Sequence, residues 1–384
     1  MRVAFYAPMK APDHPVPSGD RAVARLLLQA LRHGGHEAAL ASRLRSWQGQ
    51  ADPARQARLA RLGAALAQRL LRRYAADPAQ RPQAWLTYHL YYKAPDFIGP
   101  AVARALGIPY LLAEVSLAYK RAGGPWDLGH RASLEAVRTA GAILQLNPED
   151  AECLPPDCRQ ELLPPFLDAR PFTAAYRTRA ETRATWAARL GLDLDQPWLI
   201  AVAMMRPGDK LASYRRLAAA LGQVTDLPWQ LLLIGDGPAR PQVEAAFATA
   251  LGSQTATRLR YLGELPEGGV AAPLVAADLF VWPAVNEAYG MAALEAQAAG
   301  LPVVAGWRPG LVSIVAQGES GLLVESEGPE AFAGALRSLL TAPARVRAMG
   351  AEALRRVAAR HDLAAAAATL SRVLGSARPP QAGP

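Results

Sequence analysis

The stretch from Asp278 to Glu325, DLFVWPAVNEAYGMAALEAQAAGLPVVAGWRPGLVSIVAQGESGLLVE, constrains the fold more than any other part of the chain. Its apolar run Leu279-Phe280-Val281-Trp282, stopped by Pro283, reads as a parallel strand buried on both faces. A turn over Asn286–Gly290 follows, then helix formers from Met291 to Ala299 closed by Gly300. Pro302-Val303-Val304-Ala305 gives a second buried strand. The unit is strand–helix–strand, with Glu287 on the turn and Glu295, eight positions later, about two turns along the helix.

Between these carboxylates lie Gly290 and the free backbone N–H groups of a first helical turn, a ready place for a phosphate. Glu287 can accept hydrogen bonds from sugar hydroxyls beside that phosphate, and Glu295 can reach a ribose. At the carboxyl end of a parallel strand, this describes a nucleotide-sugar site. The alternative is an ordinary strand–helix–strand unit with two solvent-facing glutamates.

The embedded pattern P-x-x-x-E-A-Y-G-M-x-x-L-E-A-x-A-x-G-L-P-V-V resembles the signature of the retaining GT-B glycosyltransferases of family 4 (glycosyl transferases group 1). That resemblance implies an α/β chain of two doubly wound Rossmann-like domains facing across a cleft. It implies transfer of a sugar from a nucleotide-diphosphate donor to an acceptor with retained anomeric configuration, and no metal or other cofactor. Glu287, Ala288, Tyr289 and Glu295 would serve the donor sugar and ribose. Gly290 and Met291 would serve the diphosphate, and backbone groups at Gly263, Glu264 and Leu265 the nucleobase side.

The chain has 384 residues, 51% hydrophobic and 20% charged, more than one ordinary core can absorb, so two domains are expected. No apolar run approaches the roughly 20 residues of a membrane span. Met1–Pro8 reads as a strand and loop rather than a signal peptide. Cys153 and Cys158 make neither a disulfide framework nor a zinc site. These features suggest a cytoplasmic enzyme with free thiols. The net charge of +9 points to an anionic partner, whether nucleic acid, membrane surface or phosphorylated substrate, and the family resemblance implies no nucleic acid.

Alternating strand and helix patterns through the first half predict a doubly wound parallel sheet. Strand candidates are Arg2–Ala7, Glu37–Ala41, Trp85–Tyr88, Pro109–Ala113 and Ala142–Leu146. Helix candidates are Arg21–Arg32, Pro95–Leu106 and Ala132–Thr139. Gly19, in Pro17-Ser18-Gly19-Asp20, stands where the family usually shows a Gly-Gly facing the donor phosphate; Asp20 departs from that pattern. A plain helix cap by Ser18 is the other reading. Ala54–Tyr74 reads as a basic helix with Leu59, Leu62, Leu66 and Leu70 on one stripe and Arg58, Arg61, Arg69 and Arg72 beside it. It is either a core-packed helix with a solvated arginine face or a contact for the anionic inner face of a membrane. His89 follows a strand where the family places a catalytic-site histidine near the donor sugar. Tyr88, Tyr91, Tyr92, Glu114 and Lys120 are acceptor-side candidates.

Leu162–Asp168 resembles the segment that closes the family's first domain. Residues 1–170 are therefore assigned to an acceptor-side domain and 171–360 to a donor domain, after a helix at Ala174–Leu190. A last helix, 361–375, would return to the first domain before a disordered tail at 376–384. Past the strand Trp198–Ala203 come Arg206 and Lys210, one residue closer together than the family's diphosphate-clamping Arg and Lys. Further helices are expected at Pro329–Leu340 and Val346–Arg360. Gly235-Asp236-Gly237 lacks the third glycine of a dinucleotide fingerprint, and Asp193-Leu194-Asp195 precedes a strand, so both read as turns.

The expected activity is retaining glycosyl transfer to a glycan, lipid or small-molecule acceptor, as in cell-envelope or polysaccharide synthesis. An epimerase or phosphorylase on the same fold, or a catalytically silent sugar- or partner-binding subunit, are the alternatives.

Overall fold

The computed structural model describes residues 1–16, 18–266, 268–287, 289–325 and 328–380, with the side chains of 148–150 left aside. It divides into two compact units: Met1–Pro164 with Leu363–Pro384, and Pro165–Asp362.

The first unit is a parallel sheet of β1 (Arg2–Tyr6), β2 (Glu37–Ser42), β3 (Ala84–Tyr91), β4 (Tyr110–Ser116), β5 (Ala142–Gln145) and β6 (Gln160–Leu162). Its order is β2-β1-β3-β4-β5-β6. The chain reverses direction across the sheet between β1 and β3, which opens a crevice at their carboxyl ends. Phe5, Tyr6, Trp85, Leu86, Tyr110 and Leu112 are fully buried, as strands covered on both faces require.

One polar network lies inside this core. Asp96 accepts from Thr87 Oγ1 (2.6 Å), the Tyr110 hydroxyl (2.9 Å) and the backbone N–H groups of Ile98 and Gly99 (2.8 Å each). Trp85 Nε1 donates to Thr87 Oγ1 at 2.9 Å. Asp96 thereby caps helix α3 (Gly99–Leu106), which starts four residues later than the Pro95 expected from sequence. Gly99 is required there, because a Cβ would stand 2.3 Å from Asp96 Oδ2 and 2.5 Å from Trp85 Nε1.

The basic helix spans Pro53–Ala76 (α2, counting Gly19–His33 as α1). Its buried seam is Gln56, Gly63, Ala67, Leu70 and Tyr74; of the leucine stripe only Leu70 lies in it, Leu59 and Leu66 are half-buried, and Leu62 remains 46% exposed. The seam is chosen by its neighbours. Gly63 lets the helix approach Phe97, whose Cβ would be 2.4 Å from an added Cβ, and Gln56 bonds Pro125 O at 2.8 Å. Leucine periodicity carries no information about such close approach.

The second unit is a parallel sheet of β7 (Trp198–Val202), β8 (Gln230–Ile234), β9 (Leu259–Gly263), β10 (Leu279–Trp282), β11 (Val303–Gly306) and β12 (Gly321–Val324). Its order is β12-β11-β10-β7-β8-β9, with the reversal between β7 and β10. The helix expected over Ala174–Leu190 is two helices, Arg170–Tyr176 and Arg179–Leu190. Asp193 forms a turn, accepting from Asp195 N at 2.9 Å and Gln196 Nε2 at 3.0 Å.

The division between units falls at Pro164/Pro165 and Asp362/Leu363, earlier than the 170/171 boundary read from sequence. Leu167 N donates to His361 O (2.9 Å) and His361 Nδ1 lies 2.7 Å from Pro165 O, which ties 165–167 to the second unit. The expected helix end near Arg360 is an α-helix, Pro343–Arg356, running into a π-helical turn, Val357–His361. The last helix, Leu363–Ser376, lies in the first unit, with Ser371 Oγ 2.9 Å from His36 Nε2. Of the tail taken as disordered, 377–380 is placed, with the Arg378 backbone against Gly141; 381–384 lie outside the described residues.

Asp96→Ala should cost on the order of 3 kcal/mol in urea unfolding, because it strands several buried donors. A loss under about 0.5 kcal/mol would contradict the network's structural role.

Candidate active site

Two loops leave the second sheet on either side of its reversal point. The loop after β7 is stitched to the loop after β8: Met205 N donates to Asp236 O and Ala239 N to Met205 O, both at 2.8 Å. Gly235 and Gly237, with φ of 133° and 147°, permit this approach. A Cβ on them would stand 1.9 Å from Ala203 O and 2.4 Å from Met205 O. The glycine pair thus supports the loop that carries Arg206. Gly208 (φ 85°) then turns the chain into the helix Asp209–Gly222.

The loop after β10 holds two non-glycine residues in the left-handed region, Ala284 (φ 55°) and Asn286 (φ 52°). Three contacts with the Asp209–Gly222 helix hold it there. Val285 N donates to Ser213 Oγ (3.0 Å), Asn286 Nδ2 donates to Asp209 Oδ2 (2.9 Å), and Lys210 Nζ meets Glu287 Oε2 at 2.5 Å. Lys210 and Glu287 are each one-fifth exposed. The ammonium also stands over the Trp282 ring, 5.5 Å from its centroid, and Trp282 packs edge-on against Tyr214.

Arg206 is exposed and makes no ion pair among the described residues. Gly290 (φ 65°) begins the helix Met291–Ala298, and no side chain caps that helix's first turn. An added Cβ at Gly290 would stand 2.3 Å from Leu311 Cδ2, so no larger residue fits. Half-buried Glu295 has no hydrogen-bond partner among the described residues, and burial pushes its carboxyl up to about 7. Gly263 (φ 68°) ends β9 and accepts from Gly235 N at 2.8 Å; Glu264 is exposed and Leu265 half-buried. Tyr289 is half-buried, and Ala288 lies outside the described residues.

Of the residues proposed from sequence, Lys210 and Glu287 touch, Arg206 stands on the loop that leads into the Lys210 helix, and Gly290 and Met291 form the open helix start. His89 and Gly19 belong to the first unit. Asp209, Ser213 and Asn286, which fix the geometry, were not singled out. Their only sequence signal is polarity beside a helix start, which ordinary caps share.

In the first unit, Ser18 Oγ accepts from Arg21 N (3.3 Å), so α1 is already capped where Gly19 begins it. Asp20 on that first turn places Oδ1 3.0 Å from His89 Nδ1. The His89 hydrogen bond holds the Asp20 carboxyl below its usual range, against the upward push of burial. His89 (φ 60°) and Glu114 (φ 59°) are both left-handed. They stand between the register pairs Tyr88↔Ala113 and Leu90↔Val115, with Glu114 Oε1 3.6 Å from His89 Nδ1.

Residues 196–342, which take in both loops of the second sheet, match the model of a family described as glycosyl transferases group 1. A D-inositol 3-phosphate glycosyltransferase of Thermobispora bispora is 37% identical over 202 residues, 51% of this chain and 46% of that protein. One from Rhodococcus erythropolis is 35% identical over 184 residues, 47% of this chain and 41% of that protein. The chain thus spans less than half the length of these curated relatives. Among solved structures, Anabaena HepE in complex with UDP superposes with a TM-score of 0.71 at 14% identity, covering 98% of this chain and 100% of that one. Sucrose-phosphate synthase from Thermosynechococcus elongatus gives 0.68 at 21% identity, covering 97% and 98%. At such identities the likeness concerns the fold. Residues 196–342 thus resemble the glycosyl transferases group 1, and the chain has the two-sheet GT-B fold of these solved structures.

Proposed function

We propose that the protein transfers a sugar from a nucleotide-diphosphate donor to an acceptor hydroxyl with retention of anomeric configuration. The observation that carries this reading is the Lys210–Glu287 pair, which joins the two loops at the reversal point of the second sheet. Beside it stand an exposed arginine and an uncapped helix start.

The parts suit a diphosphate leaving group. Arg206, Lys210 and the N–H groups at Met291 supply positive charge where negative charge develops, so the reading needs no metal ion. Glu287 accepts from hydroxyls of the transferred sugar and holds Lys210 in place. Glu295 accepts from the ribose, and the backbone at Gly263–Leu265 lies on the base side. The anomeric C–O bond to the diphosphate breaks with its electron pair on the phosphate oxygen. A new C–O bond forms to the acceptor, whose hydroxyl proton passes to the departing diphosphate. His89 keeps the reaction-site role that the family likeness gives it.

The same reading extends to α2, whose exposed Arg58 and Arg61 flank the exposed Leu62. This basic face fits an anionic lipid surface. Vesicles containing phosphatidylglycerol should sediment the protein, and Arg58→Glu with Arg61→Glu should abolish this. Sedimentation unchanged by those substitutions would leave α2 a solvated helix.

Incubation with UDP-, GDP- and ADP-sugars should release nucleoside diphosphate. Lys210→Ala should lower that rate roughly hundredfold or more, and Glu287→Ala comparably. Full activity in both variants would refute the assignment.

Glu295 adds a pH signature. Its folded carboxyl titrates near 7, above its ordinary value, so the stability it lends is present below the usual carboxylate range and fades as pH rises through 7. Ribose binding needs the ionised form and changes in the opposite sense. UDP affinity should rise about tenfold from pH 6 to 8 in the native protein, beyond any change in Glu295→Gln, which retains only the titration of UDP itself. Parallel profiles would remove Glu295 from the ribose site.

A further inference from the structure

The first unit has its own reversal-point crevice, between β1 and β3, and its chemistry differs from that of the second. His89 and Glu114 stand side by side on β3 and β4, both in the left-handed region. Such backbone costs free energy and persists where the surroundings enforce it, often at ligand sites. Asp20 reaches across from the start of α1 to place its carboxylate 3.0 Å from His89 Nδ1.

Glu114 supplies the independent observation. The residue is 8% exposed, and its Oε2 is fully enclosed with no hydrogen-bond partner among the described residues. Oε1 is 3.6 Å from His89 Nδ1, beyond a good hydrogen bond. A buried carboxylate oxygen left unmatched is costly and asks for a donor.

We propose that Asp20, His89 and Glu114 form the site for the hydroxyl-rich, non-anionic end of the acceptor, with the Glu114 and Asp20 carboxylates accepting its hydroxyl or ammonium hydrogens. This rests on the glycosyl-transfer reading and names the acceptor class within it. The start of α1 would ordinarily attract an anion. Here Ser18 Oγ already takes the Arg21 N–H, and Asp20 puts a negative charge on the first turn. A phosphate would meet two carboxylates. Lys10 acts on Asp20 at longer range, and the cations Lys93 and Arg121 stand over Tyr92 rather than over His89. From His89 the rings of Tyr91 and Tyr92 follow in tilted and edge-on contact at 5.3 and 5.7 Å between centroids. The half-buried Tyr91 ring beside His89 can take the C–H face of a sugar ring.

The test uses the full chain saturated with UDP, titrated with glucose, glucosamine and glucose 6-phosphate, which share a ring and differ in charge. Calorimetry or saturation-transfer NMR should rank glucosamine and glucose above glucose 6-phosphate. Glu114→Gln and Asp20→Asn should each weaken glucosamine binding about fivefold or more. UDP affinity should stay unchanged, and both variants should remain folded with a single cooperative melt. Tighter binding of glucose 6-phosphate, no binding of either other sugar, or indifference to Glu114→Gln in a folded variant would overturn the proposal. Absence of UDP binding would sink the transfer reading and this proposal with it; UDP binding without the stated sugar ranking would sink this one alone.

Discussion

The contact between Lys210 and Glu287 fixes the second unit's chemistry. Its partners lie 77 residues apart in sequence, yet their loops leave the adjacent strands β7 and β10. Holding the β10 loop with Ala284 and Asn286 in the left-handed region costs free energy, and the bonds to Ser213 and Asp209 offset that cost. The ion pair itself adds little net stability, since desolvation of two partly buried charges opposes their attraction. Its consequence is positional. It sets a carboxylate and an ammonium side by side, between an exposed arginine and an uncapped helix start.

The first unit repeats the device with the electrostatics inverted. Asp20, on the first turn of α1, meets His89 near the end of β3, much as Lys210, on the first turn of the helix after β7, meets Glu287 on the loop after β10. In the second unit the helix start has no side-chain cap and the exposed Arg206 makes no ion pair, both among the described residues. In the first, Ser18 caps the helix, Asp20 covers its first turn, and the unmatched group is a glutamate. One topology thus yields one edge suited to an anion and another suited to hydrogen-bond donors. The difference comes from a few residues at helix starts, not from the sheets.

What the sequence disclosed was local. Buried strands such as Leu279–Trp282 announce themselves as apolar runs, and the Glu287–Glu295 spacing sits within one strand–helix–strand unit. What it hid depends on partners distant in the chain. Gly235 and Gly237 look like a failed nucleotide fingerprint until their contacts with Ala203 and Met205 show a buttress for the Arg206 loop. The buried seam of α2 follows Gln56 and Gly63 because Phe97 and Pro125 lie there, which leucine spacing cannot report. Asp20 could be noticed as a departure from a glycine, but its bond to His89 needed the fold.

Glu295 in the second unit and Glu114 in the first are carboxyls at least half-buried that have no hydrogen-bond partner among the described residues. Folding alone gives no reason to retain either, because a glutamine or a small apolar residue would avoid the desolvation penalty. Neither is a stray surface group: Glu295 is half-buried on the helix that follows Glu287, and Glu114 is enclosed beside His89. Each therefore marks a place where donors from a bound molecule complete what the protein leaves open. Under the proposed transfer reading, the donors for Glu295 are the vicinal hydroxyls of a ribose behind a diphosphate held by Arg206, Lys210 and the Met291 N–H. For Glu114 the donors belong to a second molecule, since a phosphate-bearing group would be repelled by Asp20 at the same edge.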